Sequence, residues 1–395
     1  MKEVYIVAAK RTPIGSFGGM FAGTSAVQLG SSVTKTVVEE SKINPEHIDE
    51  FFYGSVVQAN LGQAPATQVI LGAGLSEKIP TTLINKVCAS GMKSTMLAAQ
   101  SIQLGLNQVV ISGGMENMSQ IPFYLEKARY GYGYGNGQLI DGLAKDGLTD
   151  VYQQKAMGCF ADATADKYEI TREEQDEYAI NCYKKIAENT QNGNFANEIA
   201  SVEIKDRKGN ISLITEDEEY KKVNFDKIPG LKPAFTKEGT VTAANSSTIN
   251  DGAASLVLVS GEYLKANNLT PLAKIISYAD ASQAPEWFTT SPVIAAEKAL
   301  KAANLSISDI DYFEVNEAFA VVAMAFAKHF DITHEKLNAF GGAVALGHPL
   351  GCSGARIIVT LINVLKSKSA KYGMVAICNG GGGASAIIIE NQQPA

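Results

Sequence analysis

The string Ile48-Asp49-Glu50-Phe51-Phe52-Tyr53-Gly54 has a counterpart in Ile310-Asp311-Tyr312-Phe313-Glu314-Val315-Asn316, and this echo constrains the fold more than any other feature. Each copy follows a helix-like run and is reached from an earlier strand-like segment, Val4–Ala8 in the first half and Ala273–Tyr278 in the second. Strand-like runs ending in glycine close both halves, at Gln108–Gly114 and Met374–Gly380. A chain that spells one order of strands and helices twice is expected to build one α/β unit twice, each a central sheet covered by helices. At 395 residues there is length for two or three lobes.

Residues 119–249 differ in character. Gly131-Tyr132-Gly133-Tyr134-Gly135-Asn136-Gly137 is too turn-rich for a regular strand or helix. Residues 172–192 form a charged, helix-like stretch, and 203–239 alternates Lys with Glu and Asp. The expected division is therefore a first half over 1–118, completed by about 250–269, an inserted segment over 119–249, and a second half over 270–395.

Charge and cysteine usage exclude several classes. The net charge of −7 argues against a nucleic-acid partner, whose recognition rests on clustered Lys and Arg. It also means that a polyanionic ligand must be held by local geometry, not by the overall field. Five cysteines, at 88, 159, 182, 352 and 378, are odd in number and irregular in spacing, which points to a reducing compartment and no disulfide framework. There is no CxxC pair and no His/Cys cluster for structural zinc. The apolar stretch Ala318–Ala327 is about half the ~20 residues needed to span a bilayer, so it reads as a buried helix and no membrane partner is expected. Met1-Lys2-Glu3 runs straight into a strand with no basic leader, so the expected location is cytoplasmic.

Chemistry first shows at Cys88. It lies between the strand-like Thr81–Ile84 and a helical pattern carried by Met92, Met96, Ala99 and Ile102, with Gly105 as the stop. A thiol at a helix N-terminus is expected to lean toward thiolate. A lone cysteine is more often a small buried hydrophobe, but three further stretches add to this one. Gly341-Gly342-Ala343-Val344-Ala345-Leu346-Gly347-His348-Pro349 sets a histidine in a glycine-rich turn. Ile377-Cys378-Asn379-Gly380-Gly381-Gly382-Gly383-Ala384 leads a second cysteine into four glycines, and Glu314-Val315-Asn316-Glu317-Ala318-Phe319 opens an apolar helix with a polar cluster. The glycine run lacks the GxxxxGK[ST] pattern of a phosphate loop, and a GxSxG elbow is absent.

These motifs, in this order and together with Arg11-Thr12-Pro13 and Gly113-Gly114-Met115-Glu116-Asn117-Met118-Ser119, resemble the thiolase family over essentially the whole chain. The resemblance implies an α/β thiolase fold: two duplicated five-stranded α/β/α/β/α halves, with an inserted loop domain covering coenzyme A, assembled as a homotetramer of tight dimers. It implies acetyl-CoA C-acetyltransferase activity, the reversible condensation of two acetyl-CoA to acetoacetyl-CoA and CoA through an acetyl-Cys88 intermediate. Cysteine suits the first step because sulfur exchanges one thioester for another at little cost. His348 would take the proton of Cys88, and Cys378 would deprotonate the methyl of the second acetyl-CoA. The N–H groups of Cys88 and Gly380 would face one oxyanion, while His348 and a water held by Asn316 would face the enolate. Cys159, Cys182 and Cys352 read as structural.

By position the resemblance assigns CoA contacts to Tyr183, Lys222, Lys227, Leu231, Ser247 and Phe288. Lys222 stands where some relatives have arginine, which keeps the charge but loses a planar fork. Thr242–Ser247 resembles a potassium-responsive branch, in which Tyr183, Ala243, Ala244, Ser246 and Val344 would surround the ion. Phe288 looks like the aromatic of enzymes that also accept 2-methylacetoacetyl-CoA. No cofactor is required beyond coenzyme A as substrate and product. A longer-chain 3-ketoacyl-CoA thiolase is the nearest alternative. Ketoacyl synthases and HMG-CoA synthase typically lack the second cysteine, and a non-catalytic CoA binder would not need all four catalytic positions filled.

Overall fold

Strands β1 (Val4–Arg11), β2 (Glu50–Gly54), β3 (Thr81–Ile84), β4 (Val109–Asn117) and β5 (Asn250–Ser260) pair in the spatial order β3-β2-β4-β5-β1 in a computed structural model that describes residues 1–205 and 208–393. Strands β6 (Ala273–Ser282), β7 (Tyr312–Val315), β8 (Tyr372–Asn379) and β9 (Gly383–Asn391) repeat that order as β7-β8-β9-β6. In both halves the inner neighbours are parallel (β2 with β3 and β4, β7 with β8) and the last strand runs antiparallel between the first and the penultimate. The position matching β3 in the second half is held by a single parallel bridge, Phe313 to Leu337. There the Phe313 N–H donates to Lys336 at 2.9 Å and its carbonyl accepts from Asn338 at 2.8 Å. The halves meet edge to edge over two residue pairs, Tyr5–Lys274 and Ile6–Ala273, so the sheet is continuous.

Helices α1 (Ala26–Ser41) and α2 (Pro65–Gly72) cover the outer face of the first half. The first of them opens with a capping box: Ser25 Oγ accepts from Gln28 N–H at 3.2 Å, and Gln28 Oε1 accepts from Ser25 N–H at 2.8 Å. Helix α3 (Ser90–Gln103) follows Cys88, stops ahead of Gly105 at φ +76°, and turns Met92, Met96, Ala99 and Ile102 into the core. In the inserted region lie α4 (Gly158–Tyr168) and α5 (Arg172–Gln191). Helices α6 (Ser291–Ala303) and α7 (Ala320–Phe330) pack in one cluster against the second half of the sheet.

Helix α8 (Leu350–Ser367) lies with α3 in the core shared by the two halves. Its Ile357, Ile358 and Leu361 share one core with Val110, Leu256 and Leu258 of the first half and Ile275, Ile377 and Ile387 of the second. Each such buried aliphatic contributes roughly 1.5–3 kcal/mol. By length and hydropathy α8 passes for a membrane span, but 89% of it is buried inside the protein, so it is a core helix. The two central helices cross almost backbone to backbone. A Cβ on Gly354 would stand 2.5 Å from the Met92 nitrogen, and one on Gly91 would stand 2.8 Å from that of Ala355.

Residues 118–249 fill the connection between β4 and β5, where the second half has only the turn Gly380–Gly382 between β8 and β9. Besides α4 and α5 this stretch carries two small hairpins, Phe123–Tyr124 with Ile140–Asp141 and Val202–Lys205 with Ile211–Ile214. Its buried Ala179, Cys182, Tyr183 and Ile186 pack on Phe340, Val344 and Leu346. Arg11 fastens it to β1. The Arg11 Nε donates to Glu198 at 2.6 Å, and Nη1 and Nη2 donate to Asp217 at 2.7 and 2.9 Å, all three side chains being buried. Burial alone would lower the guanidinium pKa, and the two carboxylates more than reverse this.

Candidate active site

Cys88 occupies a tight turn between β3 and α3. Val87 is left-handed at φ +47°, an uncommon state for a β-branched residue. Neighbours hold it there: Asn85 Oδ1 accepts the Val87 N–H at 2.9 Å, and Ser90 Oγ accepts from Lys86 N–H at 2.8 Å and donates to the Val87 carbonyl at 2.6 Å. The Lys86 ammonium pairs with Asp280 and donates to Ser385 Oγ at 2.8 Å, so the turn is tied to β6 and β9 of the other half. The N–H groups of Gly380 and of Cys88 itself lie against the Cys88 sulfur and favour its charged form. Burial nonetheless pushes the thiol up to about 12. The thiolate expected from the helix terminus alone is thus not the resting form, because loss of water outweighs two N–H donors and a dipole.

His348 ends the glycine-rich turn. Its N–H donates to Asn250 Oδ1 at 3.0 Å, and the same carboxamide donates to the Gly15 carbonyl at 3.0 Å. Gly347 has φ +106°, and a Cβ there would meet the Asn250 carboxamide at 2.2 Å, so this turn requires glycine. His348 Nδ1 is 2.6 Å from Ser353 Oγ, whereas Nε2 is buried with no hydrogen-bond partner. Burial, and then the nearby Arg356 cation, lower the imidazole pKa to about 3, so it is neutral and able to accept a proton.

Cys378 is the penultimate residue of β8 and fully buried. Burial and then the neighbouring Cys88 raise its pKa well above the ordinary thiol value. The tight turn behind it depends on Gly382, at φ +85°, where a Cβ would stand 2.2 Å from the Gln283 carbonyl. Asn316 follows β7 directly and donates its N–H to Ala376 at 2.9 Å. Helix α7 begins four residues later, at Ala320, so Asn316 is not its cap. Both polar atoms of the Asn316 side chain are buried without a hydrogen-bond partner. Such a group is poised to hold a water or a substrate oxygen.

One cavity of about 620 Å³ is bordered by Cys88, His348, Gly380, Phe288, Ser247 and Lys222. Met157, Phe235 and Phe319 make much of its remaining wall apolar. Cys378 and Asn316 are fully buried and do not border it. Of the residues assigned to coenzyme A, Lys222, Ser247 and Phe288 face this cavity, with Lys222 3.4 Å from Glu218. Tyr183, Lys227 and Leu231 do not: Tyr183 is buried with its ring centroid 6.4 Å from that of Phe225 in a T-shaped pair, Lys227 is exposed, and Leu231 accepts Arg172 at its carbonyl. Of the residues assigned to potassium, Ala243 and Ser246 border the cavity, whereas Tyr183 and Val344 pack in the adjoining core and Ala244 is buried. Among the described residues no cluster of three His, Cys, Asp or Glu side chains suits a metal ion.

Four supporting residues escaped the sequence reading. Ser353 and Asn250 hold His348. Glu116, quoted only as part of a motif, accepts N–H bonds from Val56, Val57 and Gly351 at 2.9, 3.2 and 2.9 Å, tying the start of α8 to the loop after β2. Glu317 accepts the Tyr178 hydroxyl at 2.6 Å, Asn338 Nδ2 at 2.5 Å and the Val344 N–H at 2.9 Å, bracing the glycine-rich turn against the residue beside Asn316. The available signal was an Asp or Glu embedded in an apolar run, as at Met115-Glu116, where a carboxylate must find N–H donors.

Two family models match in tandem, the thiolase N-terminal domain over residues 4–262 and the thiolase C-terminal domain over 269–391. A probable acetyl-CoA acetyltransferase of Dictyostelium discoideum is 54% identical over 99% of this chain and 94% of its own. The acetyl-CoA acetyltransferase ERG10, cytosolic, of Gibberella zeae is 51% identical over 100% and 99%. Among solved structures, the Acat5 thiolase of Ascaris suum in complex with coenzyme A superposes with a TM-score of 0.94 at 44% identity, covering 99% of this chain and 100% of that one. The acetyl-CoA acetyltransferase of Bacillus anthracis gives 0.96 at 38%, covering 99% of both. With a doubled α/β fold, both family models matched across nearly its whole length and relatives above 50% identity, this chain belongs to the thiolase family.

Proposed function

We propose that the protein is an acetyl-CoA C-acetyltransferase that joins two acetyl-CoA into acetoacetyl-CoA and CoA, or runs the cleavage in reverse. The observation that carries this reading is a thiol, an unpartnered imidazole nitrogen and a backbone N–H on the sulfur, all at one cavity. The names of the relatives agree with it.

The resting pair is thiol and neutral imidazole, so the proton of Cys88 passes to His348 Nε2 in step with formation of the carbon–sulfur bond. The tetrahedral oxyanion faces the N–H groups of Cys88 and Gly380, and CoA leaves with the thiol proton of Cys378, which becomes a thiolate while His348 keeps its proton. The Cys378 thiolate then removes a methyl proton from the second acetyl-CoA and is a thiol again. The resulting enolate, facing the protonated His348 and a water on Asn316, attacks acetyl-Cys88 to form the new carbon–carbon bond, and the released Cys88 sulfur takes back its proton from His348. Each oxyanion donor is worth about 10²–10³ in rate.

Coenzyme A is read as lying across the cavity mouth along Lys222 and Ser247, with residues 119–249 as its cover. Lys227 and Leu231 lie outside the cavity and would contact the nucleotide end only beyond its mouth, whereas Tyr183 is buried in the adjoining core. Phe288 fits a short acyl group, with 2-methylacetoacetyl-CoA as a second substrate. Potassium would sit near Ala243 and Ser246; indifference to K⁺ versus Na⁺ would remove it. A tetramer is read from the exposed Phe123, Tyr130, Tyr134 and Leu139 of the inserted region, and light scattering checks it. A cytosolic location follows the wording of the Gibberella zeae relative's name. Steady-state thiolysis of C4, 2-methyl-C4 and C16 ketoacyl-CoA tests the function. Preference for C4 supports it, and equal rates on C16 favour the long-chain enzyme.

A further inference from the structure

We propose that Ser353 is a positioning residue that fixes His348 as the Nδ1–H tautomer and so leaves the Nε2 lone pair free at the cavity that Cys88 also borders. The inference rests on the function proposed above and deepens it. Ser353 lies in the first turn of α8, five residues after His348, and is fully buried. Its hydroxyl has one hydrogen and two close neighbours, His348 Nδ1 at 2.6 Å and the Pro349 carbonyl at 2.9 Å. A carbonyl can only accept. If the hydroxyl pointed at the imidazole instead, two oxygens would face each other at 2.9 Å with no hydrogen between them, and Nε2–H would be a buried donor without an acceptor. With the hydroxyl on Pro349, Nδ1–H donates to Ser353 and Nε2 carries the lone pair. One turn further along α8, the buried Arg356 guanidinium disfavours a second proton on the ring. Ser353 therefore selects the tautomer and Arg356 keeps it uncharged.

The tautomer is read directly by ¹⁵N solid-state NMR of protein labelled at histidine, with the His348 signals assigned by their loss in His348→Asn. Wild type should show a protonated Nδ1 and a bare Nε2; a protonated Nε2 overturns the proposal whatever the variants do. In Ser353→Ala the single tautomer should become a mixture. Cys88 acetylation should slow about 10- to 100-fold, the loss typical when the outer partner of a functional histidine is removed, with KM for acetyl-CoA nearly unchanged. Ser353→Thr, which keeps the hydroxyl, should retain most of the rate. Wild-type acetylation by Ser353→Ala, or loss in Thr as severe as in Ala with both folded, overturns it. If wild type never takes an acetyl group, the proposed function fails, and the NMR result still decides the tautomer.

Discussion

Replacing Arg11 by methionine removes the cation that fastens the inserted region to β1 and leaves Glu198 and Asp217, each about 1% exposed, without their partner. Removing one member of a buried ion pair costs about 3–5 kcal/mol, because the remaining charge keeps its desolvation penalty. Here a single guanidinium serves two carboxylates and also lies 5.3 Å from the Phe195 ring, so the upper part of that range applies. A 395-residue chain has an unfolding entropy of about 0.8 kcal/mol/K, so the loss corresponds to a fall in Tm of about 5–6 °C. Differential scanning calorimetry of Arg11→Met measures it. The triple variant Arg11→Met, Glu198→Gln, Asp217→Asn keeps the side-chain acceptors but removes the stranded charges, and should recover at least half the loss. A Tm within about 1 °C of wild type for the single variant, or a triple variant less stable than the single, would refute the reasoning. Glu219, two residues beyond Asp217, borders the cavity that holds Cys88 and His348, so Arg11→Met should also raise KM for acetyl-CoA.

Other expectations concern the site and its supports. Burial holds the Cys88 thiol near 12, so ultraviolet difference spectra of wild type against Cys88→Ser should show no thiolate between about pH 6 and 9; a thiolate band by pH 7 would mean that the helix terminus outweighs burial. Asn316→Ala should slow condensation about 10²–10³-fold while leaving acetylation of Cys88 much less affected, and equal losses in the separately measured half-reactions would count against the enolate role. Gly354→Ala forces a methyl to within 2.5 Å of the Met92 backbone and should cost about 1–3 kcal/mol or more in denaturant unfolding; a neutral result would mean the two central helices can separate freely.

The doubled architecture was legible because it depends on local order repeated in chain sequence, and β2 and β7 lie inside the two echoed strings. The second half is the less complete copy, since the position of β3 is reduced to the bridge at Leu337, and no short apolar run there announced a strand. Helix α8 was harder to read, because its first turn is glycine-rich and a buried polar stripe of Ser353, Arg356, Thr360 and Asn363 interrupts its apolar periodicity. Cys88, His348 and Gly380 could be singled out because each lies in or beside a glycine-marked turn that strings can show, and one cavity is bordered by all three. The protonation states were not legible. They depend on how completely the folded chain buries each group, as when burial and then Arg356 lower the His348 pKa. Nor could position alone separate Lys222, which faces the cavity, from Lys227, which lies on an exposed turn five residues later.

Intact-protein and peptide mass spectrometry after brief mixing with acetyl-CoA weighs the proposed nucleophile most directly. One acetyl group should appear on Cys88, persist in Cys378→Ser, where the second step is blocked, and be absent from Cys88→Ser. An acetyl group on Cys378, or none on any residue of the wild-type enzyme, would contradict the account.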